Sequence, residues 1–310
     1  MNPLRSIFLA ASENTWLREQ AQRRGFVRRA VSRFMPGESL DDALGAAKQL
    51  SGERLGAILT HLGENVRDAA EARTVADHYL EVVRRVKESG LDAEVSVKLT
   101  QLGLDLGTGV ATENLMRIAD AAGAIPGRLW IDMESSPYVD ATFEVYRAVK
   151  QKFPRLGICV QSYLHRTAKD LEMLIALGAA VRVVKGAYKE PATVVMPKKA
   201  DVDESFYQLS IRLLAEDARR AGAWLAAGTH DPGLIARIAA WADGAKLPRD
   251  GYEFALLYGI QRAEQARLAA GGYRCRVLVS YGTFWFPWYM RRLAERPANV
   301  LFMMRGVLGS

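Results

Sequence analysis

Val181-Arg182-Val183-Val184-Lys185 decides how this chain is read: a short apolar run with one arginine inside it and a lysine at its end. A run so brief and so rich in β-branched residues reads as a strand rather than a helix. Seven others resemble it, at 57–62, 94–99, 129–133, 158–161, 224–229, 254–257 and 277–279. Most hand over to a longer stretch with 3.6-residue periodicity. Val75-Ala76, Tyr79-Leu80 and Val83 form one such stripe; Leu171, Leu174-Ile175 and Leu177 form another. Near-continuous apolar strands suit a parallel sheet covered on both faces. Eight of them alternating with helices fit an α/β fold of the (β/α)8 TIM-barrel type. An open doubly wound sheet is the competitor, but it usually carries its cofactor on a G-x-G-x-x-G turn. The nearest approach, between Gly103 and Gly109, lacks the third glycine.

On the N-terminal side, residues 1–50 read as a helical segment packed on the barrel. Apolar positions recur at helical spacing in Trp16-Leu17, Phe26-Val27, Ala30-Val31 and Phe34. Pro36-Gly37 breaks the pattern, and Ser39-Leu40-Asp41-Asp42 makes a helix start. Residues 51–310 then form one catalytic barrel domain, with a C-terminal helix carrying Arg291 over the mouth.

Composition narrows the function classes. The chain has 310 residues, 49% of them hydrophobic and 25% charged, with a formal charge of +7. Its basic residues are scattered and accompany no RNA or DNA motif, so nucleic acid is not an expected partner. Cys159 and Cys275 are the only cysteines, which supports neither a disulfide framework nor a cysteine zinc site. The cytoplasm is the simplest compartment. No run approaches the roughly 18 apolar residues that span a bilayer.

In a barrel, the residues that end each strand face the reaction mouth. Read in order they are Thr60-His61 and Glu64, Lys98, Asp132 and Glu134, Gln161, Arg182 with Lys185, Thr229-His230-Asp231, Tyr258 and Tyr281. Each alone is as well explained as a capping or rim residue. Lys98, Asp132 and Arg182, however, lie within or at the tips of apolar strands, where an unpaired charge costs on the order of several kcal/mol. Their mixed signs let them pair with one another and with a ligand, which suits a zwitterion or a phosphate. Arg291-Arg292, behind the aromatic wall 281–289, adds a planar fork for a carboxylate. No metal is expected, since His61, His78, His165 and His230 lack ligand spacing; a two-histidine site from His61 and His230 is the residual alternative. A Schiff-base aldolase or lyase using Lys98 or Lys185 is the other chemistry left open.

These strand-end words, taken together, resemble a known family. Val181-Arg182-Val183-Val184-Lys185-Gly186-Ala187-Tyr188 is similar to the R-L-V-K-G-A-Y segment of flavin-dependent proline dehydrogenases. The resemblance extends through Thr60-His61-Leu62-Gly63-Glu64, Ser96-Val97-Lys98-Leu99-Thr100, Trp130-Ile131-Asp132-Met133-Glu134, Val160-Gln161-Ser162-Tyr163-Leu164 and Gly228-Thr229-His230-Asp231. It ends with Arg291-Arg292-Leu293 and Asn299, and the length fits the monofunctional bacterial form.

The resemblance implies a distorted (β/α)8 barrel holding FAD at the strand C-termini. It implies oxidation of L-proline to 1-pyrroline-5-carboxylate, the first step of proline catabolism to glutamate. Lys98, Asp132 and Arg182 would be the catalytic group, with Arg182 near the flavin N5. Met133, Gln161, Lys185, Gly186, Ala187, Thr229 and His230 would complete the cofactor site. Arg291 and Arg292 would clamp the proline carboxylate, Lys98 would finish the polar side, and Val183, Tyr188 and Leu278 would pack the ring. Leu278 replaces a tyrosine that many members carry and that is thought to exclude 4-hydroxyproline. Glu64 would pair with Arg291 as a gate. Electrons would pass to a membrane quinone, the product to a 1-pyrroline-5-carboxylate dehydrogenase, and the protein would lie peripherally on the inner face of the cytoplasmic membrane. Trp285, Phe286 and Trp288 are compatible with such docking, although packing of the last helix against the barrel is the plainer reading.

Overall fold

The computed structural model describes residues 31–63, 66–286 and 289–290. Eight parallel strands close a barrel in chain order: β1 (Gly56–His61), β2 (Ala93–Val97), β3 (Leu129–Ile131), β4 (Leu156–Gln161), β5 (Ala180–Val184), β6 (Trp224–Gly228), β7 (Glu253–Leu257) and β8 (Arg274–Tyr281). Every apolar run falls on one strand, so the chain has the TIM-type fold its periodicity implies. β8 starts earlier than its run because Arg274 and Arg276 alternate with buried Cys275 and Val277.

The helices α1 (Leu40–Gly52), α2 (Ala69–Ser89), α3 (Thr108–Ala122), α4 (Val139–Lys150), α5 (Thr167–Ala176), α6 (Lys199–Leu214), α7 (Glu216–Arg220), α8 (Pro232–Gly244) and α9 (Arg262–Ala270) fill the intervals. α1 begins where the sequence indicates, at a capping box. The Ser39 Oγ accepts the Asp42 N–H at 3.1 Å, and Asp42 accepts the Ser39 N–H at 3.0 Å. It packs on β1 and β8 and runs past residue 50; the earlier part of the expected cap, residues 1–30, lies outside the described residues. The expected stripe on α5 is one residue too long. The helix ends at Ala176, and Leu177 is 40% exposed.

Strand residues alternate between two apolar shells. Outward-facing Leu59, Val95, Val97, Val181, Val183 and Val277 are buried against helix faces such as Ala72, Ala76, Tyr79 and Val83 of α2. Burying each valine or leucine contributes about 1.5–3 kcal/mol. Inward-facing Ile58, Trp130, Ala180, Ala226 and Ala255, with the partly buried Trp224 and Leu278, fill the interior. One fully buried indole among so many small residues is a volume solution. A Cβ on Gly157 would lie 2.5 Å from the Trp130 ring, so the strand beside Trp130 must leave that space empty. Among the described residues, no helix is long and apolar enough to cross a membrane.

Candidate active site

Inward-facing positions near the C-terminal strand ends bring Ser96, Lys98, Asp132, Cys159, Gln161 and Arg182 together. Pleating and register do this: Arg182 on β5 lies opposite Cys159 on β4, and Ser96 on β2 lies opposite Trp130 on β3. Arg182 is only 3% exposed. Its Nη2 donates to Asp132 Oδ1 at 2.6 Å and to Ser96 Oγ at 2.7 Å, and its Nε donates to Cys159 Sγ at 2.9 Å. The guanidinium carbon lies 4.9 Å from the centre of the Trp130 ring, a cation–π floor. Its Nη1 is buried and has no partner. A buried donor left unmet at the mouth calls for an acceptor.

Asp132 is shared between two cations. Lys98 Nζ lies 3.0 Å from its Oδ2, and Ser96 Oγ donates to its Oδ1 at 2.8 Å. Burial pushes the Asp132 carboxyl up, but Lys98, Arg182 and the serine outweigh it and hold the group well below the usual range. Burial likewise opposes the charge on Lys98, yet the Asp132 carboxylate, with smaller help from Tyr188 and Glu134, holds the ammonium above its usual range. An amine kept charged is no nucleophile, so the Schiff-base alternative loses Lys98. Burial raises the Cys159 thiol to about 11 despite the neighbouring guanidinium. The cluster holds two cations against one carboxylate, and it is short of negative charge.

Gln161 shows the complementary deficit, since its Oε1 is buried without a partner. Its Nε2 reaches the carbonyl of Met133, itself buried, at 3.5 Å. Around the rim, Lys185 Nζ is tied to Asp203 at 2.5 Å and to Asp231 at 3.3 Å, which leaves that lysine poorly placed as a nucleophile. Asp231 also caps α8 by accepting the Gly233 and Leu234 amides. The Asp231 N–H bonds Thr229 Oγ1, and His230 Nε2 accepts the Leu257 N–H at 3.2 Å. Gly186 has φ +106°, and a Cβ there would lie 2.4 Å from the Tyr163 ring, so only glycine lets the chain run so close. Ala187 and Tyr188 follow in the same loop, half-buried.

Other expected site residues lie elsewhere. Val183 faces the helices, not the mouth, because it alternates with Arg182. Leu278 points inward but sits with Ile58 and Trp130, level with Ile58 in register. Tyr281 is buried with its hydroxyl 2.8 Å from His78 Nε2. His61 packs against the His78 ring, and burial, with a smaller contribution from His78, lowers it to about 4. His61 and His230 are thus engaged separately. Glu134 binds the Thr100 amide and hydroxyl. Trp285 and Phe286 are buried in a cluster with Val31, Met35, Leu62 and Tyr289, which is the packing reading of that aromatic group. Glu64, Trp288, Arg291 and Arg292 lie outside the described residues. Ser96, Cys159 and Trp130 were missed as site residues; stepping back two positions from Lys98, Gln161 and Asp132 finds all three.

An unmet buried donor on Arg182 beside an unmet buried acceptor on Gln161, on adjacent strands, fits a planar heteroaromatic ring with both kinds of edge atom. Gly186, where the backbone runs bare along the rim, fits the rest of a dinucleotide. The residues present are therefore suited to a flavin.

Comparison with known proteins supplies the family. Residues 43–305 match the family described as proline dehydrogenase. The chain is 38% identical to Proline dehydrogenase 1 of Bacillus subtilis (strain 168) over 306 residues, 98% of this chain and 99% of that one. It is 35% identical to a proline dehydrogenase of Deinococcus radiodurans over 283 residues, 90% of each. Among solved structures, proline utilization A from Bdellovibrio bacteriovorus superposes with a TM-score of 0.81 at 22% identity, over 94% of this chain and 36% of that longer one. That last likeness is one of fold.

Proposed function

Because the chain belongs to the proline dehydrogenase family, an oxidoreductase family of proline catabolism, we propose that it oxidises L-proline to 1-pyrroline-5-carboxylate by hydride transfer from C5 to N5 of FAD. The observation that carries this reading is the buried Arg182, held on three sides with Nη1 free beside the Lys98–Asp132 pair. Bound FAD would supply the two-electron acceptor that no side chain provides.

The chain's own residues supply position and field. Arg182 presents a fixed positive charge where negative charge accumulates, and its contacts to Ser96, Asp132 and Cys159 mean that nothing must reorganise first. Lys98, locked to Asp132, gives a polar wall for the substrate, with Tyr188 toward the ring. By the family resemblance, Arg291 and Arg292, outside the described residues, would clamp the carboxylate, and Glu64 would gate the mouth through Arg291. Met133 and Gln161 would hold the flavin ring, while Lys185, Gly186, Ala187, Thr229 and His230 would hold its ribityl and phosphate parts. Positioning of C5 then supplies much of the rate.

Neither Lys98 nor Asp132 takes up or releases a proton near neutrality, since one is held charged above its usual range and the other below. On this reading the substrate nitrogen loses its proton to solvent before its lone pair assists the hydride. Accordingly kcat/KM rises with pH along the titration of the substrate amine. A ring analogue with a less basic nitrogen should move that limb to lower pH. A limb that stays put would assign the titration to the protein instead.

Electrons leave to a membrane quinone, with the protein peripheral to the cytoplasmic membrane, and the product passes to a 1-pyrroline-5-carboxylate dehydrogenase. The direct test is the absorption spectrum of the purified protein, which should show oxidised flavin and bleach anaerobically on adding L-proline. A protein that neither carries nor takes up FAD overturns the reading. Comparing L-proline with trans-4-hydroxy-L-proline measures what Leu278 allows; equal efficiencies would end the preference for proline.

A further inference from the structure

The loop after β5 crosses the rim as a strap, and its side-chain anchorage is unusual. Its start is bound by backbone bonds from the Ser162 N–H to the Val184 carbonyl and from the Tyr163 N–H to the Lys185 carbonyl. Its far end is bound where the Met196 N–H meets the Tyr163 carbonyl and the His165 N–H meets the Val194 carbonyl. Between them stands Glu190. Its Oε1 accepts the Ser136 N–H at 2.7 Å and the Tyr163 hydroxyl at 3.3 Å, and its Oε2 accepts the Ser136 hydroxyl. Ser136 opens the short 3-10 turn after β3, Ser136–Tyr138. One carboxylate thus ties the β5 loop to the β3 loop, and Tyr163 lies beneath, with its ring against Gly186.

We propose that Glu190 is a positioning residue, a latch that holds Gly186, Ala187 and Tyr188 in place over Tyr163 at the mouth. The inference rests on the proline dehydrogenase reading for its catalytic consequence, but the latch itself is a property of the folded chain. Charge-assisted hydrogen bonds of this kind are the strong ones. Because Glu190 touches neither Lys98 nor Arg182, losing it should loosen binding more than chemistry.

The experiment compares Glu190→Ala, Glu190→Gln and Ser136→Ala. Read-outs are trypsin cleavage at exposed Lys189, with and without FAD, the FAD dissociation constant, and KM and kcat for L-proline. Glu190→Ala should speed cleavage at Lys189 and raise the FAD constant and KM by at least about tenfold each, with kcat changed far less. Glu190→Gln should recover most of this, since its amide can accept the Ser136 N–H and donate to the hydroxyl. Ser136→Ala keeps the backbone donor, so it should give a smaller change in the same direction, and it stands in if Glu190→Ala does not fold. Wild-type cleavage and KM in both alanine variants would overturn the latch, and so would a Gln variant no better than Ala. A wild-type chain that binds no FAD would sink the flavoenzyme reading, while Lys189 cleavage would still judge the latch.

Discussion

The two ends of the barrel interior both bury charge, but they balance it differently. At the mouth, Lys98 and Arg182 share a single carboxylate, Asp132, and one guanidinium nitrogen stays unmet. At the opposite end, Arg276 is 1% exposed and lies among acids. It binds Glu253 at 3.1 Å, Glu94 at 3.4 Å and Asp92 at 2.7 Å, with Arg128 and Arg274 also pairing with the two glutamates. Three arginines face three acids there, so that end is balanced in charge and forms a plug, although Glu253 Oε1 is also buried without a partner. The mouth is left with positive charge and a spare donor, as a site for an anionic partner needs. Buried ion clusters are thus not equivalent: a closed one holds structure, and an open one marks chemistry.

The sharpest break of this contrast is Arg276→Met. Removing one partner from a buried ion cluster costs about 3–5 kcal/mol because the remaining charges stay buried. The thermal midpoint should fall by on the order of 10 °C, while the variant that still folds keeps its proline KM. A lowered midpoint with a tenfold higher KM would mean that the two ends communicate. Next comes Arg182→Met, which should lower kcat/KM for L-proline by about 10²–10³, the scale for losing one preorganised donor. Arg182→Lys should do little better, because one ammonium cannot keep the Ser96, Asp132 and Cys159 contacts and also leave a donor free. Wild-type turnover in either variant would remove Arg182 from the mechanism.

A smaller effect is expected from Gly186→Ala. Its Cβ would strike the Tyr163 ring from a left-handed backbone, so the loop must shift and FAD should bind about tenfold more weakly. Equal FAD affinity by titration of the cofactor-free protein would clear that position of any role. The subtlest test concerns pH. Burial first, and Glu94 second, push the Glu253 carboxyl up to about 7, against the nearby arginines. The folded chain then binds that proton more tightly than the unfolded chain, whose glutamates titrate near about 4.3. The stabilisation is complete at acid pH and is lost as pH rises through 7. The thermal midpoint of the wild type relative to Glu253→Gln should therefore drop by a few degrees from about pH 5 to pH 8. A constant difference, or one that grows with pH, refutes the assignment.

How much of this was legible in advance follows from what each signal encodes. The barrel was readable because a parallel strand buried on both faces stays apolar along its length, as in 181–185. Lys98, Asp132, Gln161 and Arg182 stood out because a charge or amide in such a run demands a partner. Cys159 did not, since an apolar-looking residue becomes a ligand of Arg182 only through the β4–β5 register. The plug escaped for the opposite reason. Glu253, Arg274 and Arg276 lie at strand starts, where polar residues read as loop, and only closure of the barrel turns them inward. Val183 was misassigned by reading the run as one surface when its residues alternate between two.

Trp130 sits between these two ends. Its Nε1 donates to Glu94 at 2.5 Å on one side, and its ring underlies Arg182 on the other. Among the described residues, the charged plug closes one end of the interior and the mouth lies at the other. Under the proposed function, reactant, product and electron acceptor would share that mouth in turn, and whatever lingers there would delay the next arrival.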